Sequence, residues 1–220
     1  MKLYVTGRSG FVGKHVMRVL GKRGIPIADT LDDANAIIHL AWAGLPNYES
    51  EAHYDNVGWQ MDIIKGAVSR GIKNITIAGT CLESVPNPPH YAKAKLQLYH
   101  RVHALLPGVK WVRLWYLYGD GQNENCLLPR LRQAILSGAK EFHVVDGSRD
   151  FIDVSKAAEC LCDIATQSRV IGIIDCCSGV ATPVSEFCRR SEGDSQIHFI
   201  ADYPPKEYEP KSFHGTPITL

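Results

Sequence analysis

Short runs of aliphatic and β-branched residues alternate along the chain with longer stretches whose apolar positions recur at helical spacing. Residues 2–5, 25–28, 36–40, 74–78 and 109–114 read as strands, and the run AIIHL at 36–40 is apolar almost throughout, as a parallel strand covered on both faces requires. Between them, residues 12–22 have helical period. Trp59, Ile63, Ile64, Ala67 and Val68 share one helical face, and Ala94, Leu98, Val102 and Leu105 share another. Strand alternating with helix implies βαβ units with right-handed crossovers, so the pattern predicts an α/β chain built on a doubly wound parallel sheet. Beyond Tyr118 the pattern loosens. Residues 127–136 read as a helix and residues 142–145 and 173–176 as strands, while the stretch 201–220 carries four of the 12 prolines and little period. That last stretch predicts a small, mostly irregular C-terminal lobe on the carboxyl edge of the sheet. No Ser/Gly linker intervenes, so residues 1–120 and 121–220 are expected to interleave in a single unit.

Composition narrows the function classes. The 220 residues include 24 basic and 23 acidic side chains, a net charge of +1, which removes the bulk-charge argument for a nucleic-acid or membrane-surface partner. No apolar run approaches the ~20 residues of a bilayer span, and MKLYVTGRSG turns glycine-rich too early for a signal peptide. Seven cysteines, an odd number, sit largely in apolar stretches such as AECLCDIA and IIDCCSG, which fits reduced thiols in a cytoplasmic setting. His100 and His103 form an H-x-x-H without HExxH or a nearby cysteine pair, and neither Cys160/Cys162 nor Cys176/Cys177 has zinc spacing, so no metal is expected.

Two motifs carry chemistry. The first strand runs directly into TGRSGFVGKHV, with Gly7, Gly10 and Gly13 at intervals of three. Glycines in a strand-to-helix turn let backbone approach a ligand, and the opening helix offers unpaired N–H groups to an anion. A dinucleotide pyrophosphate on a Rossmann-like core is the expectation, with Phe11 and Val12 anchoring the helix. The second motif is YAKAK, which sets Tyr91 and Lys95 one helical turn apart on one face. An ammonium beside a phenol favours the phenolate and lowers its pKa, which suits proton exchange with a carbonyl or alcohol during hydride transfer. Lys93 falls on another face. Cys81 adjoins Thr80 without an evident activating base and reads as a buried thiol.

These residues resemble the extended short-chain dehydrogenase/reductase superfamily, the nucleotide-sugar epimerases, dehydratases and ketoreductases. TGRSGFVG is similar to its TGxxGFxG turn, IIHLAWAG to its HLAA segment, and Asn56-Val57-Gly58 to its NVxGT helix start. VRLWYLYGDGQ resembles its RxxxxYGPGQ, SRDFIDV its RDFIHV and DCCSGVATPVSEF its NIGSG turn. The resemblance implies that Thr80, Tyr91 and Lys95 are catalytic, with Glu83 where some members carry a glutamate. It further implies that Gly7, Arg8, Ser9, Gly10, Phe11, Val12, Gly13, Leu40 and Ala41 contact an NAD(P) cofactor, and that Thr80, Tyr116 and Arg149 contact a nucleotide-sugar substrate, with Arg149 gripping its diphosphate. Asp29, 16 residues beyond Gly13, is placed to bond the adenosine ribose. Arg8 could instead fork onto a 2′-phosphate, which tips the expectation slightly to NADP.

The activity so implied is reduction of a 4-keto group on a nucleotide-activated deoxysugar. The alternatives are a 4-epimerase with tightly held NAD and a non-catalytic dinucleotide sensor. Dehydratase chemistry fits less well, because Cys81 and Leu82 follow Thr80 where those enzymes carry Asp-Glu. The resemblance also implies a homodimer through a four-helix bundle formed by helices near 59–70 and 94–106. Three departures stand out: only ten residues separate Thr80 from Tyr91, Tyr116 replaces a common asparagine, and the chain ends at Leu220, so a reduced substrate lobe is expected.

Overall fold

The computed structural model describes residues 1–193 and 196–218. Strand β1 (Leu3–Thr6) leads through the glycine turn to helix α1 (Phe11–Lys22), then to β2 (Ile27–Ala28), β3 (Ala36–His39), α2 (His53–Ser69) and β4 (Asn74–Thr80). A single 3-10 turn (Cys81–Ser84) precedes α3 (His90–Leu105) and β5 (Lys110–Leu114). The remaining elements are β6 (Tyr116–Tyr118), α4 (Leu127–Leu136), β7 (Glu141–Val145), β8 (Ser148–Asp153), α5 (Val154–Thr166), β9 (Gly172–Cys176), β10 (Ala181–Pro183), α6 (Val184–Glu192), β11 (His198–Tyr203) and β12 (Ser212–Phe213).

Six strands form an all-parallel sheet in the order β2-β1-β3-β4-β5-β9, the doubly wound arrangement expected from the pattern. Its faces are covered separately. Val16 and Leu20 of α1 and Leu161 and Ile164 of α5 pack on one face. Ile64 and Ala67 of α2 and Leu98 and Val102 of α3 pack on the other, against the fully buried Trp111. Strand order reverses at β1, so the carboxyl ends of β1, β3 and β4 open onto one crevice, the place where such sheets bind ligands. Strand β2 is shorter than the predicted 25–28, because the Ile25 N–H closes the end of α1 on Leu20 O and Pro26 has no N–H to give a ladder.

The C-terminal lobe is more regular than expected. Strand β8 is the centre of a sheet with β10, β12 and β6 as neighbours, and β7 pairs with β11. Leu131, Phe142, Phe187 and Phe199 form the lobe's own core. The irregular remainder, residues 204–211, brings Glu209 into the lining of the crevice; Thr219 and Leu220 lie outside the described residues. Among the described residues no helix is long and apolar enough to cross a membrane, and all seven cysteines are free.

One buried carboxylate ties the lobe together. Asp150, fully buried in β8, accepts from Ser178 N (2.7 Å), Ser178 Oγ (2.6 Å), Gly179 N (2.8 Å) and Gly215 N (3.3 Å). Asp150→Ala leaves those N–H groups buried without an acceptor, and is expected to lower unfolding free energy by about 3 kcal/mol. Urea denaturation checks this, and a loss under about 1 kcal/mol would contradict it.

Candidate active site

The glycine turn is built by close approach. Gly7 has φ +68, and a Cβ there would lie 2.8 Å from Ala41 N, so only glycine lets β1 turn over the end of β3. A Cβ at Gly13 would stand 2.0 Å from Gly7 O, so the first turn of α1 can rest on the loop only without a side chain. At Gly10 a Cβ would crowd only Gly7 O, at 3.3 Å, and this residue lines the crevice. Gly10 is also the N-cap of α1 and has no side-chain acceptor, which leaves first-turn N–H groups open to an anion. Beside the turn, Thr6 Oγ accepts from Leu40 N (3.1 Å) and Ala41 N (3.2 Å), so its own proton goes to His39 Nδ1 at 2.8 Å. Burial and the nearby Lys95 hold His39 neutral, its pKa lowered to about 4.

Thr80 ends β4 and is held by Glu83. The Glu83 carboxylate accepts from Thr80 N (2.8 Å), from Trp111 Nε1 (2.8 Å) and from Arg113 Nε (3.3 Å). Gly79 makes this possible, since a Cβ there would stand 2.3 Å from Trp111 Nε1. Burial pushes the Glu83 carboxyl up, and those three donors oppose it. Thr80 Oγ accepts from Leu82 N at 3.4 Å, and its hydroxyl lies beside Tyr91 in the crevice lining.

Tyr91 lies in the first turn of α3, pinned by its N–H to Tyr48 O at 2.9 Å. Three rings enclose it: Trp42, Tyr48 and His53, with centroids at 5.8, 5.5 and 5.2 Å. Trp42 Nε1 donates to His53 Nδ1 (3.1 Å), so the His53 proton sits on Nε2, bonded to Asn47 O (2.7 Å). One turn along, Lys95 Nζ donates to Ala78 O at 2.7 Å and lies 4.1 Å from the Trp42 ring centre. Both side chains are desolvated, with opposite effects. Burial drives the Tyr91 phenol well above its usual value, the neighbouring Thr80 hydroxyl opposing, and lowers Lys95 to about 7. The expectation of a phenol made acidic by Lys95 is therefore corrected: burial instead drives Tyr91 upward, so the phenol keeps its proton.

At the far end of the crevice Arg149 is almost fully buried. Its Nη1 donates to Ser148 O (2.9 Å), Pro210 O (3.1 Å) and Lys211 O (3.4 Å), and its Nη2 to Glu209 Oε2 at 2.8 Å. The Tyr116 hydroxyl donates to the other Glu209 oxygen, and the Arg149 guanidinium lies 5.6 Å from the Tyr116 ring centre. A cavity of about 650 Å³ joins the two ends.

Of the residues expected from sequence, the cavity brings together Gly7, Gly10, Phe11, Val12, Gly13, Leu40, Thr80, Tyr91, Lys95, Tyr116 and Arg149. Arg8, Ser9 and Asp29 are exposed beside it and outside its lining, and Ala41 meets the turn through its backbone. Lys93 is exposed, and Cys81 is buried, its thiol pushed up by desolvation. Sequence reasoning missed Glu209, Trp42 and Tyr48. The aromatic-rich loop that begins at Trp42 was a signal for the last two; Glu209 had none, sitting in a proline-rich tail. Among the described residues no group of three or more His, Cys, Asp or Glu is placed to hold a metal. The glycine cradle, the uncapped α1 and the adjoining cavity fit a dinucleotide.

No family model matches the chain. It is 24% identical to dTDP-6-deoxy-L-talose 4-dehydrogenase (NAD(+)) of Aggregatibacter actinomycetemcomitans, over 85% of this chain and 89% of that protein. GDP-6-deoxy-D-talose 4-dehydrogenase of the same organism is 26% identical, over 84% of this chain and 76% of the relative. The crystal structure of UDP-N-acetylglucosamine 4-epimerase from Bacillus cereus superposes with a TM-score of 0.80 at 20% identity, covering 98% of this chain and 90% of that one. The chain is thus similar to two nucleotide-sugar 4-dehydrogenases and shares its Rossmann-type fold with that epimerase. On this Rossmann-type sheet the chain places a tyrosine, a lysine and a threonine hydroxyl in the same cavity as the glycine turn.

The buried Lys95 yields a pH signature. Its folded pKa of about 7 lies below the usual 10.5, so between those values the unfolded chain binds a proton that the folded chain does not, and stability rises with pH. Below about 7 both states are protonated and the contribution is flat. Lys95→Met is expected to flatten the rise between pH 6.5 and 8.5, read by chemical denaturation of variant and parent. An unchanged slope would contradict the burial assignment.

Proposed function

We propose that this chain reduces the 4-keto group of a nucleotide-activated deoxysugar with NAD(P)H. The observation that carries the reading is the placing of the buried Tyr91, Lys95 and Thr80 in one cavity with the glycine cradle. The two 4-dehydrogenase relatives support the substrate class by name. The turn of Gly7, Gly10 and Gly13 with the N-terminus of α1 holds the pyrophosphate, and Leu40 and Lys95 flank the remainder of the cofactor. When bound, NAD(P)H supplies the hydride. Thr80 donates a hydrogen bond to the substrate carbonyl oxygen and orients it. Tyr91 gives its phenolic proton to that oxygen as negative charge develops there, and the Lys95 ammonium stabilises the phenolate left behind. The aromatic enclosure excludes competing water. Arg149 has N–H bonds beyond those given to Glu209 and the backbone carbonyls, and these serve the substrate diphosphate.

An epimerase takes a proton from the alcohol first and needs a phenolate at the start, which burial of Tyr91 opposes. Net consumption of NAD(P)H separates the two activities, and a sensor would consume none. Arg8 and Asp29, both exposed, give conflicting preferences, with NADP slightly ahead. A cytoplasmic setting accords with seven free thiols. A homodimer through α2 and α3 accords with the exposure of Trp59 and Tyr54 on α2.

Tyr91→Phe is expected to lower kcat about 1,000-fold while leaving the dinucleotide Kd within about threefold, measured by stopped-flow absorbance and fluorescence quenching. Wild-type turnover by the variant would overturn the assignment of the proton donor. Arg8→Ala is expected to raise the KM for NADPH about tenfold and change that for NADH less than twofold; equal effects on both would remove the 2′-phosphate contact.

A further inference from the structure

The substrate end of the cavity holds an unexpected anion. Lys95, Arg149 and Glu209 are the charged side chains that line it among the described residues. Lys95 belongs to the Tyr91 end. At the other end Glu209 is 12% exposed and Arg149 4%, and the two neutralise each other at 2.8 Å. Burial raises the Tyr116, Tyr48 and Cys81 side chains toward their neutral forms, and the Glu209 charge adds to it. Glu209 lines the same cavity as Thr80, Tyr91 and Arg149, the cavity in which a sugar ring presenting its carbonyl to Tyr91 must lie.

We infer that Glu209 is a specificity-determining residue of the sugar subsite, accepting a hydrogen bond from a ring hydroxyl of a neutral sugar and rejecting sugars that carry a carboxylate. The inference rests on the nucleotide-sugar reading above. A carboxylate is an acceptor with about four lone-pair sites. Tyr116 and Arg149 each take one, on different oxygens, and fix the plane of the group. Acceptor sites are left over on a carboxylate that lines the cavity and is held in a fixed orientation, which hydroxyl recognition needs. A second carboxylate entering this space meets the Glu209 charge, and the guanidinium beside it is shared between Glu209, three backbone carbonyls and the diphosphate, so no cation is left to pair with it. Tyr116 thus acts where an asparagine was expected: it holds the glutamate, and the glutamate holds the sugar.

A rival role is anchorage of residues 204–211 to β8, and Glu209→Gln separates the two. Glutamine can still accept from Tyr116 or Arg149 and keep the segment in place, but it lacks the charge. The probes are dTDP-glucose and dTDP-glucuronate, titrated by calorimetry into the full-length protein with NADPH present. The parent is expected to bind the glucose form at least about tenfold more tightly, and the ratio is expected to fall to within about twofold in Glu209→Gln at unchanged NADPH affinity. Glu209→Asp, which keeps the charge, retains the parent's preference and serves if the glutamine variant does not fold. Equal ratios in parent and Glu209→Gln, or no preference in the parent, would overturn the Glu209 assignment alone. Failure of the parent to bind either dTDP-sugar or GDP-mannose would overturn the nucleotide-sugar reading, and this assignment with it.

Discussion

Desolvation of one phenol and one ammonium, a helical turn apart, is the constraint on which the chemistry of this protein depends. In water an ammonium beside a tyrosine would pull the phenol toward its ionised form. Inside the ring of Trp42, Tyr48 and His53 the balance reverses, because the low-dielectric surroundings disfavour both charged forms. Tyr91 keeps its proton and Lys95 comes within reach of losing one. A group that keeps its proton until negative charge appears next to it is suited to finish a hydride transfer to a carbonyl. The charge needed to stabilise the product phenolate is already in place and already buried.

The scaffold makes that desolvation affordable by giving each polar neighbour a partner. Lys95 is bonded to a strand-end carbonyl, His53 to a loop carbonyl and the Trp42 indole, and Glu83 to three donors that fix Thr80. All of these stand at the carboxyl ends of parallel strands, where backbone groups run out of ladder partners and loops supply them. The C-terminal segment completes the cavity from the opposite side with an Arg–Glu pair, so both ends of the site are polar networks and the span between is largely apolar.

Most of the core could be read from residue pattern alone, since fully buried parallel strands such as β3 announce themselves as apolar runs and the amphipathic helices between them as periodic ones. Gly7, Gly10 and Gly13, with Tyr91 and Lys95, were legible for a related reason: steric and helical spacing constraints are local. What could not be read arises from long-range packing. Strand β8 carries Arg149 and Asp150, whose charge disguises a central strand until the turn at Ser178 and the tail around Glu209 arrive to neutralise them. Helices α5 and α6 follow motifs that drew attention to their chemistry more than to their period. The sign of the Tyr91 shift follows burial among three rings from residues 42–53, more than 35 residues upstream, which no local spacing reveals.

The most direct test of the account is a titration of the Tyr91 phenol itself in the cofactor-free protein, by the pH dependence of its 13Cζ resonance, assigned with Tyr91→Phe. The account predicts that the resonance stays in its protonated position through pH 10. A transition near pH 7 to 8 would contradict it, since the phenol would then be ionised by its lysine neighbour and poised as a base.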